Sequence, residues 1–296
     1  MFSDLDPTYP LVTAMVVSLV LYQLNQRRAS PVIAIFNRWL RWGIFGFGVA
    51  KILIDFELSS RPYWMLALTF LLLYTLIETI YRWMEIAALS LSPIPLFPRF
   101  AVNPNGEEWP TDPRLLKTRD WLRKEGFKPL QSLRAEIAPS VYLRLSVYQD
   151  EAARLRVQVL FLPQPGGSIV MCGSLASRTS EGVRYVTDNL HLPFAGFYPE
   201  DWRVERCPWR RLLAQLLVRH RRRLRKLTAP LATWDREPLA DLNAQQHELE
   251  QINTELGFLF PHHEREEYGK MTSEARYRVW KEIWLLNYLG ISARYQ

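Results

Sequence analysis

The chain has 296 residues, of which 48% are hydrophobic, 13% aromatic and 23% charged, with a formal net charge of +7 and two cysteines. That much apolar and aromatic surface excludes a disordered or collagen-like chain, and Cys172 with Cys207 are too few for a disulfide scaffold or a four-thiolate zinc site. The length suits about two folding units.

Tyr9–Leu24 is uncharged and closes on Asn25-Gln26-Arg27-Arg28. At about 1.5 Å per residue it falls slightly short of a hydrocarbon core of roughly 30 Å, a deficit that local thinning or polar flanks absorb. Asp4 and Asp6 precede it where a signal peptide would carry basic residues, and no small-x-small cleavage site follows, so it reads as a retained helix. Trp42–Phe56 is apolar except for Lys51 and Asp55, which stand four apart on one helical face with opposite charges. A snorkelling lysine explains the pair more simply than an ion path does. Tyr63–Tyr81 gives the clearest signal, an aromatic-flanked run in which Glu78 is the only formal charge.

Residues 1–8 carry no Arg or Lys, the connection from Asn25 to Arg41 carries Arg27, Arg28, Arg38 and Arg41, and Glu57–Pro62 carries only Arg61. The positive-inside rule then places the N-terminus outside, the first loop in the cytoplasm and everything after Tyr81 in the cytoplasm of a multi-pass cell-membrane protein. Two crossings instead of three would move the remainder to the side of the N-terminus.

Six prolines between Pro93 and Pro113 deny the backbone its donors, so 93–113 reads as a stiff, extended connector bounding the region 1–92. Beyond it, 114–230 reads as an α+β domain and 231–296 as a helical extension. Arg114–Gly126 has the marks of a short amphipathic helix ended by glycine. Val141–Tyr148 and Arg154–Phe161 alternate with period two, as strands do that set one face in a core and the other toward water. Short turns at 163–167 and 179–182 join the second to Ser168–Leu175 and Val183–Thr187, which predicts an antiparallel meander with Leu133–Ile137 as a further strand. The expected fold class is an α+β membrane protein, with N-terminal transmembrane helices followed by a small antiparallel sheet packed with amphipathic helices.

Trp209–Leu227 combines a stripe of Trp209, Leu212, Leu213, Leu216, Leu217, His220, Leu224 and Leu227 with eight cations: Arg210, Arg211, Arg219, Arg221, Arg222, Arg223, Arg225 and Lys226. Pro208 suits its first helical position and Pro230 its end. The leucines should cover the sheet. The cations are either merely solvated or bind anionic cytoplasmic lipids; nucleic acid is the weaker partner, because no zinc-finger spacing or RNA-binding motif accompanies them. Ala240–Leu256 shows a heptad-like seam too short for a coiled coil, and Met271–Gly290 carries a large apolar side that should be buried against the rest of the chain or a protein partner.

Chemical motifs fail one after another. His262-His263-Glu264-Arg265-Glu266-Glu267 lacks the second histidine of H-E-x-x-H, and Gly269-Lys270-Met271-Thr272 lacks the first glycine of a phosphate loop. Ser174 has no nucleophile-elbow context, and His220 on the leucine face reads as a core histidine. Asp188, His191, Glu200 and Asp201 share one loop, 188–202, with Phe194, Phe197, Tyr198 and Trp202, where an acid–base pair is the enzymatic alternative. A transport-related bundle around Lys51, Asp55 and Glu78 is the other alternative. No catalytic residue, metal or cofactor is assigned. The expectation is a non-catalytic scaffold or accessory subunit that contacts the lipid bilayer, anionic lipids or a protein partner.

Overall fold

Long uninterrupted apolar runs and one proline at a helix start set the N-terminal elements. The computed structural model describes residues 7–28, 30–163 and 169–293, which form two compact units. One comprises the described residues up to Ala88 together with Trp280–Ile291; the other comprises Leu89–Val279 with Ser292 and Ala293. Asp4, Asp6 and the turn residues 164–167 lie outside the described residues.

The first unit contains α1 (Thr8–Arg28), α2 (Pro31–Asp55), α3 (Tyr63–Leu91) as far as Ala88, and the part of the last helix that starts at Trp280. α2 begins eleven residues before Trp42, so most of the connection expected between Asn25 and Arg41 is helix. Pro31 fixes φ at the first helical position, and the Ser30 N–H donates to Asn25 Oδ1 at 2.6 Å, which closes a tight connection. α2 and α3 touch at Gly46, where an added Cβ would lie 2.5 Å from Leu71, and the Trp42 indole N–H donates to the Leu71 carbonyl at 3.0 Å. α3 runs past Tyr81 because the sequence stays amphipathic, with Ile86 and Ser90 buried and Arg82 paired to Glu85 at 2.6 Å. α1 and α3 are long and apolar enough to cross a membrane, and only 6% of each apolar window is buried.

The second unit is α+β, built on an eight-stranded, mostly antiparallel sheet. Asp112 caps α4 (Pro113–Lys124) by accepting from the Arg114 N–H at 2.8 Å, and Gly126 leaves it at φ +85°. Strands β2 (Lys128–Ala138), β3 (Val141–Gln149), β4 (Arg156–Pro163), β5 (Ile169–Thr179) and β6 (Arg184–Asp188) form the expected meander. Three strands are additional. β1 (Ala101–Val102) pairs with β2 from within the proline-rich segment, whose Phe100 and Trp109 are buried in the core. β7 (Trp202–Arg206) runs parallel to β6, which the long stretch 189–201 permits, and β8 (Leu231–Ala232) pairs with β5.

Neither face of this sheet is left to water. The register Tyr148↔Val157 and Leu145↔Leu160 turns the apolar sets of β3 and β4 to opposite sides. Tyr148, Val157, Val159, Phe161 and Leu175 pack with Leu122 of α4 and with Leu213, Leu216 and Leu217 of α5 (Leu213–Leu224). On the other side Leu133, Ala135, Leu145 and Val147 pack with Leu242 of α6 (Pro238–Glu255), and Ala176 and Val186 with Trp234. The chain ends with a 3-10 turn at His262–Glu264, α7 (Arg265–Tyr268) and α8 (Ser273–Leu289).

Candidate functional site

The basic segment becomes a site through what its leucines bury. At about 100° per residue Leu213, Leu216, Leu217 and His220 fall on one side of α5. All four are buried against β5 and β6, and Gly173 of β5 admits the helix so closely that a Cβ there would sit 2.1 Å from Leu213. The helix starts at Leu213, not next to Pro208, because the preceding residues are held as a turn. Cys207 N–H donates to Asp188 O at 2.7 Å, Arg210 N–H to Cys207 O at 2.9 Å, and the Asn189 amide to Arg210 O at 2.8 Å. Trp209 and Leu212 therefore leave the buried stripe and stand 45% and 60% exposed. Val218, on the outer side of the helix, is 67% exposed.

The eight cations divide. Arg219 binds Glu205 at 2.5 Å. Arg223 reaches Glu205 at 3.1 Å, donates to the Val186 and Arg203 carbonyls at 2.6 and 2.9 Å, and donates to Thr187 Oγ1 at 2.7 Å. These two guanidiniums hold α5 to β6 and β7. Arg210 and Arg211 lie in the turn before the helix. Arg221, Arg222, Arg225 and Lys226 are exposed and make no ion pair among the described residues. They occupy the last turn and the stretch beyond it, where a helix dipole favours cations.

His220 is a core residue, as its position in the stripe implied. Its Nδ1 lies 2.9 Å from Thr187 Oγ1 and its Nε2 3.2 Å from Ser177 Oγ. Burial, reinforced by the neighbouring Arg223 charge, brings its pKa down to about 3, so the ring is neutral. Thr187 accepts from Arg223 and donates its own hydroxyl hydrogen bond to Nδ1, which leaves Nε2–H to donate to Ser177.

The remaining sequence candidates are dispersed. Lys51 and Asp55 form an (i, i+4) pair at 2.5 Å, whereas Glu78 binds Arg38 at 2.9 Å, stands 3.8 Å from Arg82 and accepts from the Tyr288 hydroxyl. Arg38 precedes Lys51 by thirteen residues, roughly 20 Å along α2, so Glu78 does not join the other two in one site. The cavity beside Glu78, lined also by Thr75, Trp280 and Trp284, is about 10 Å³, the volume of a single water. In the loop, Asp188 accepts from the Leu190 N–H at 3.1 Å and faces Arg206 at 3.8 Å, while Glu200 and Asp201 sit in the turn that enters β7. Asn253 clamps that loop through the Phe197 N–H and carbonyl at 2.8 and 2.9 Å. His262 and His263 are exposed beside Glu250 and Glu264. Lys270 is structural: its amine donates to the carbonyls of Ser92 and of Ile94, the latter at 2.6 Å. Among the described residues no three His, Cys, Asp or Glu side chains gather in a metal-binding group.

One buried cluster has no counterpart in the sequence reading. Asp241 of α6 accepts from Arg156 at 3.3 Å and Arg184 at 2.7 Å, with both guanidiniums against the Trp234 ring and Arg184 also against Trp202. Period two placed Arg156 on the face away from Val157, which is correct, but the sequence carries no signal that α6 would roof that face. Comparison with known protein families, with curated proteins and with solved structures returns no match to this chain.

Proposed function

We propose that the chain is a multi-pass membrane protein, anchored by α1, α2 and α3, whose α+β unit is a cytoplasmic, non-catalytic scaffold or accessory module. The observation that carries this is the exposure of α1 and α3: each apolar window is only 6% buried, whereas a core helix of a water-soluble fold buries most of its apolar surface. Hydrocarbon is the solvent that suits such helices, and it would also fill the open apolar groove of about 760 Å³ between Tyr9, Thr13, Val17 and Phe36.

Charge supports three crossings. The tight α1–α2 connection turns α2 back along α1, so Arg38 and Arg41 lie in the half of α2 that begins beside Arg27 and Arg28, and Arg82 of α3 is in that same half of the unit, next to Glu78, which binds Arg38. That basic half is the cytoplasmic one by the positive-inside rule, and α3 leads from it into the second unit. Lys51 is neutralised by Asp55 near the opposite end of α2, where snorkelling reaches water. The scaffold reading is supported by the use of loop 188–202 for structural contacts: Asp188 meets Arg206 and Leu190, and Phe197 is held by Asn253.

Impermeant thiol labelling in intact cells tests the topology, with Ser3→Cys, Ser59→Cys and Ser180→Cys placed singly in a background lacking Cys172 and Cys207. The proposal expects labelling at 3 and 59 and protection at 180 until lysis. Labelling at 180 in intact cells overturns it.

A further inference from the structure

We infer that the outer face of α5, with the turn before it, is a docking surface for an anionic lipid bilayer; this rests on the membrane anchoring proposed above. Two independent features of one surface carry it. The first is charge: Arg221, Arg222, Arg225 and Lys226 are exposed and unpaired among the described residues, and residues 209–227 contain no carboxylate. The second is apolar exposure: Trp209 and Leu212 in the turn before the helix are 45% and 60% exposed and Val218 on its outer side 67%, whereas Leu213, Leu216 and Leu217 of the helix are buried. Val218, Arg222 and Arg225 lie on the side of the helix opposite Leu213 and Leu217.

The leucines that hold α5 to the sheet are not required for docking. Leu213, Leu216 and Leu217 stay in the core while Trp209 and Leu212 reach the headgroup layer, where an indole with an apolar body and a polar N–H is well placed. Anionic lipid complements the charge, and the preceding helices tether the unit to a bilayer, so that docking is intramolecular and needs little intrinsic affinity. Each cation contributes about a fivefold factor near an anionic surface, so removing four weakens docking by up to several hundredfold.

The test uses the full chain in nanodiscs of phosphatidylcholine with or without phosphatidylserine. A fluorophore at Leu212→Cys is compared with one at Ala244→Cys on α6, across the sheet, by aqueous collisional quenching. Hydrogen exchange of the unmodified chain over 209–226 gives the same comparison without substitution. The inference expects phosphatidylserine to shield 212 and not 244, high salt to reverse the shielding, and the variant Arg221→Gln, Arg222→Gln, Arg225→Gln, Lys226→Gln to abolish it. Equal quenching at 212 in both lipids, shielding at 244 instead, or protection of 209–226 only on adding single-stranded RNA overturns it. A chain that does not enter nanodiscs at all sinks the anchoring proposal itself, a result separable from an inserted chain whose α5 ignores lipid charge.

Discussion

Lowering the pH from neutral to 5 should loosen α5 from the sheet through one residue. His220 is neutral between Thr187 and Ser177, with a pKa brought down to about 3 by burial and the Arg223 charge. In the unfolded chain its pKa is about 6.5, so between those values the unfolded state binds the extra proton and stability falls as pH falls. At pH 5 the gap of about 1.5 units costs about 2 kcal/mol, rising to about 5 kcal/mol below pH 3; above pH 6.5 the contribution is complete. Protonation would also put a second cation beside Arg223 and turn Nδ1 into a donor, so that it could no longer accept the hydrogen bond from Thr187. The assay is hydrogen exchange of the α5 amides at matched intrinsic rates against pH, in detergent or nanodiscs. His220→Gln keeps two hydrogen-bonding groups without a titrating one, so its exchange should show a flatter pH dependence over the same window. Equal slopes in the two proteins, or an imidazole NMR titration near the ordinary value, would refute the reasoning.

Asp241→Ala should cost about 3–5 kcal/mol, because it strands the buried Arg156 and Arg184 guanidiniums; denaturant melts show it, and pairing Asp241→Leu with Arg184→Met should recover part of the loss. Gly46→Ala should lower the thermal midpoint in detergent by the equivalent of about 1–3 kcal/mol, since the new methyl meets Leu71, whereas Gly48→Ala, facing open space, should not. Cys172, buried and with its pKa pushed up to about 11, should react with maleimide far more slowly than the half-buried Cys207; faster labelling of Cys172 would contradict the packing of β5.

Local signals were legible wherever the residues act on their own chain. The helix at Arg114–Gly126 was marked by its apolar spacing and by Gly126, and the meander by alternation and short turns, within a few residues of the observed ends. Signals that depend on distant residues were not. Nothing in Trp202–Arg206 says that it pairs parallel with β6 across 189–201, and alternation alone cannot tell a face covered by a second helix layer from one facing water. The basic segment was visible in full, but its division was not: Glu205 and the Val186 and Arg203 carbonyls, which take up Arg219 and Arg223, lie on strands that only the tertiary fold brings beneath α5. The Asp241 cluster fails for the same reason, since its three charges come from β4, β6 and α6.

That division bears on why the surface charge is a property of the unit and not of one helix. Arg219 and Arg223 join the buried leucines in attaching α5 to β6 and β7, whereas the four cations at its end make no ion pair among the described residues and, being alike in sign, repel one another. Across the sheet, α6 carries Asp241, Glu248, Glu250 and Glu255 with no Lys or Arg; Asp241 is neutralised within the core and Glu250 is paired with Arg265 at 2.9 Å and Arg99 at 3.2 Å, so Glu248 and Glu255 are the two left exposed. The sheet thus separates the four cations at the end of α5 from the two exposed carboxylates of α6 by its own thickness, and opposite charges too far apart to pair still add up to a dipole. A dipole of this kind turns a tethered body in the field of a charged surface before any contact forms. Orientation near an anionic surface would therefore bring the cationic end of α5 to it first, with Trp209 and Leu212, in the turn before the helix, following once the outer side of α5 lies along the surface.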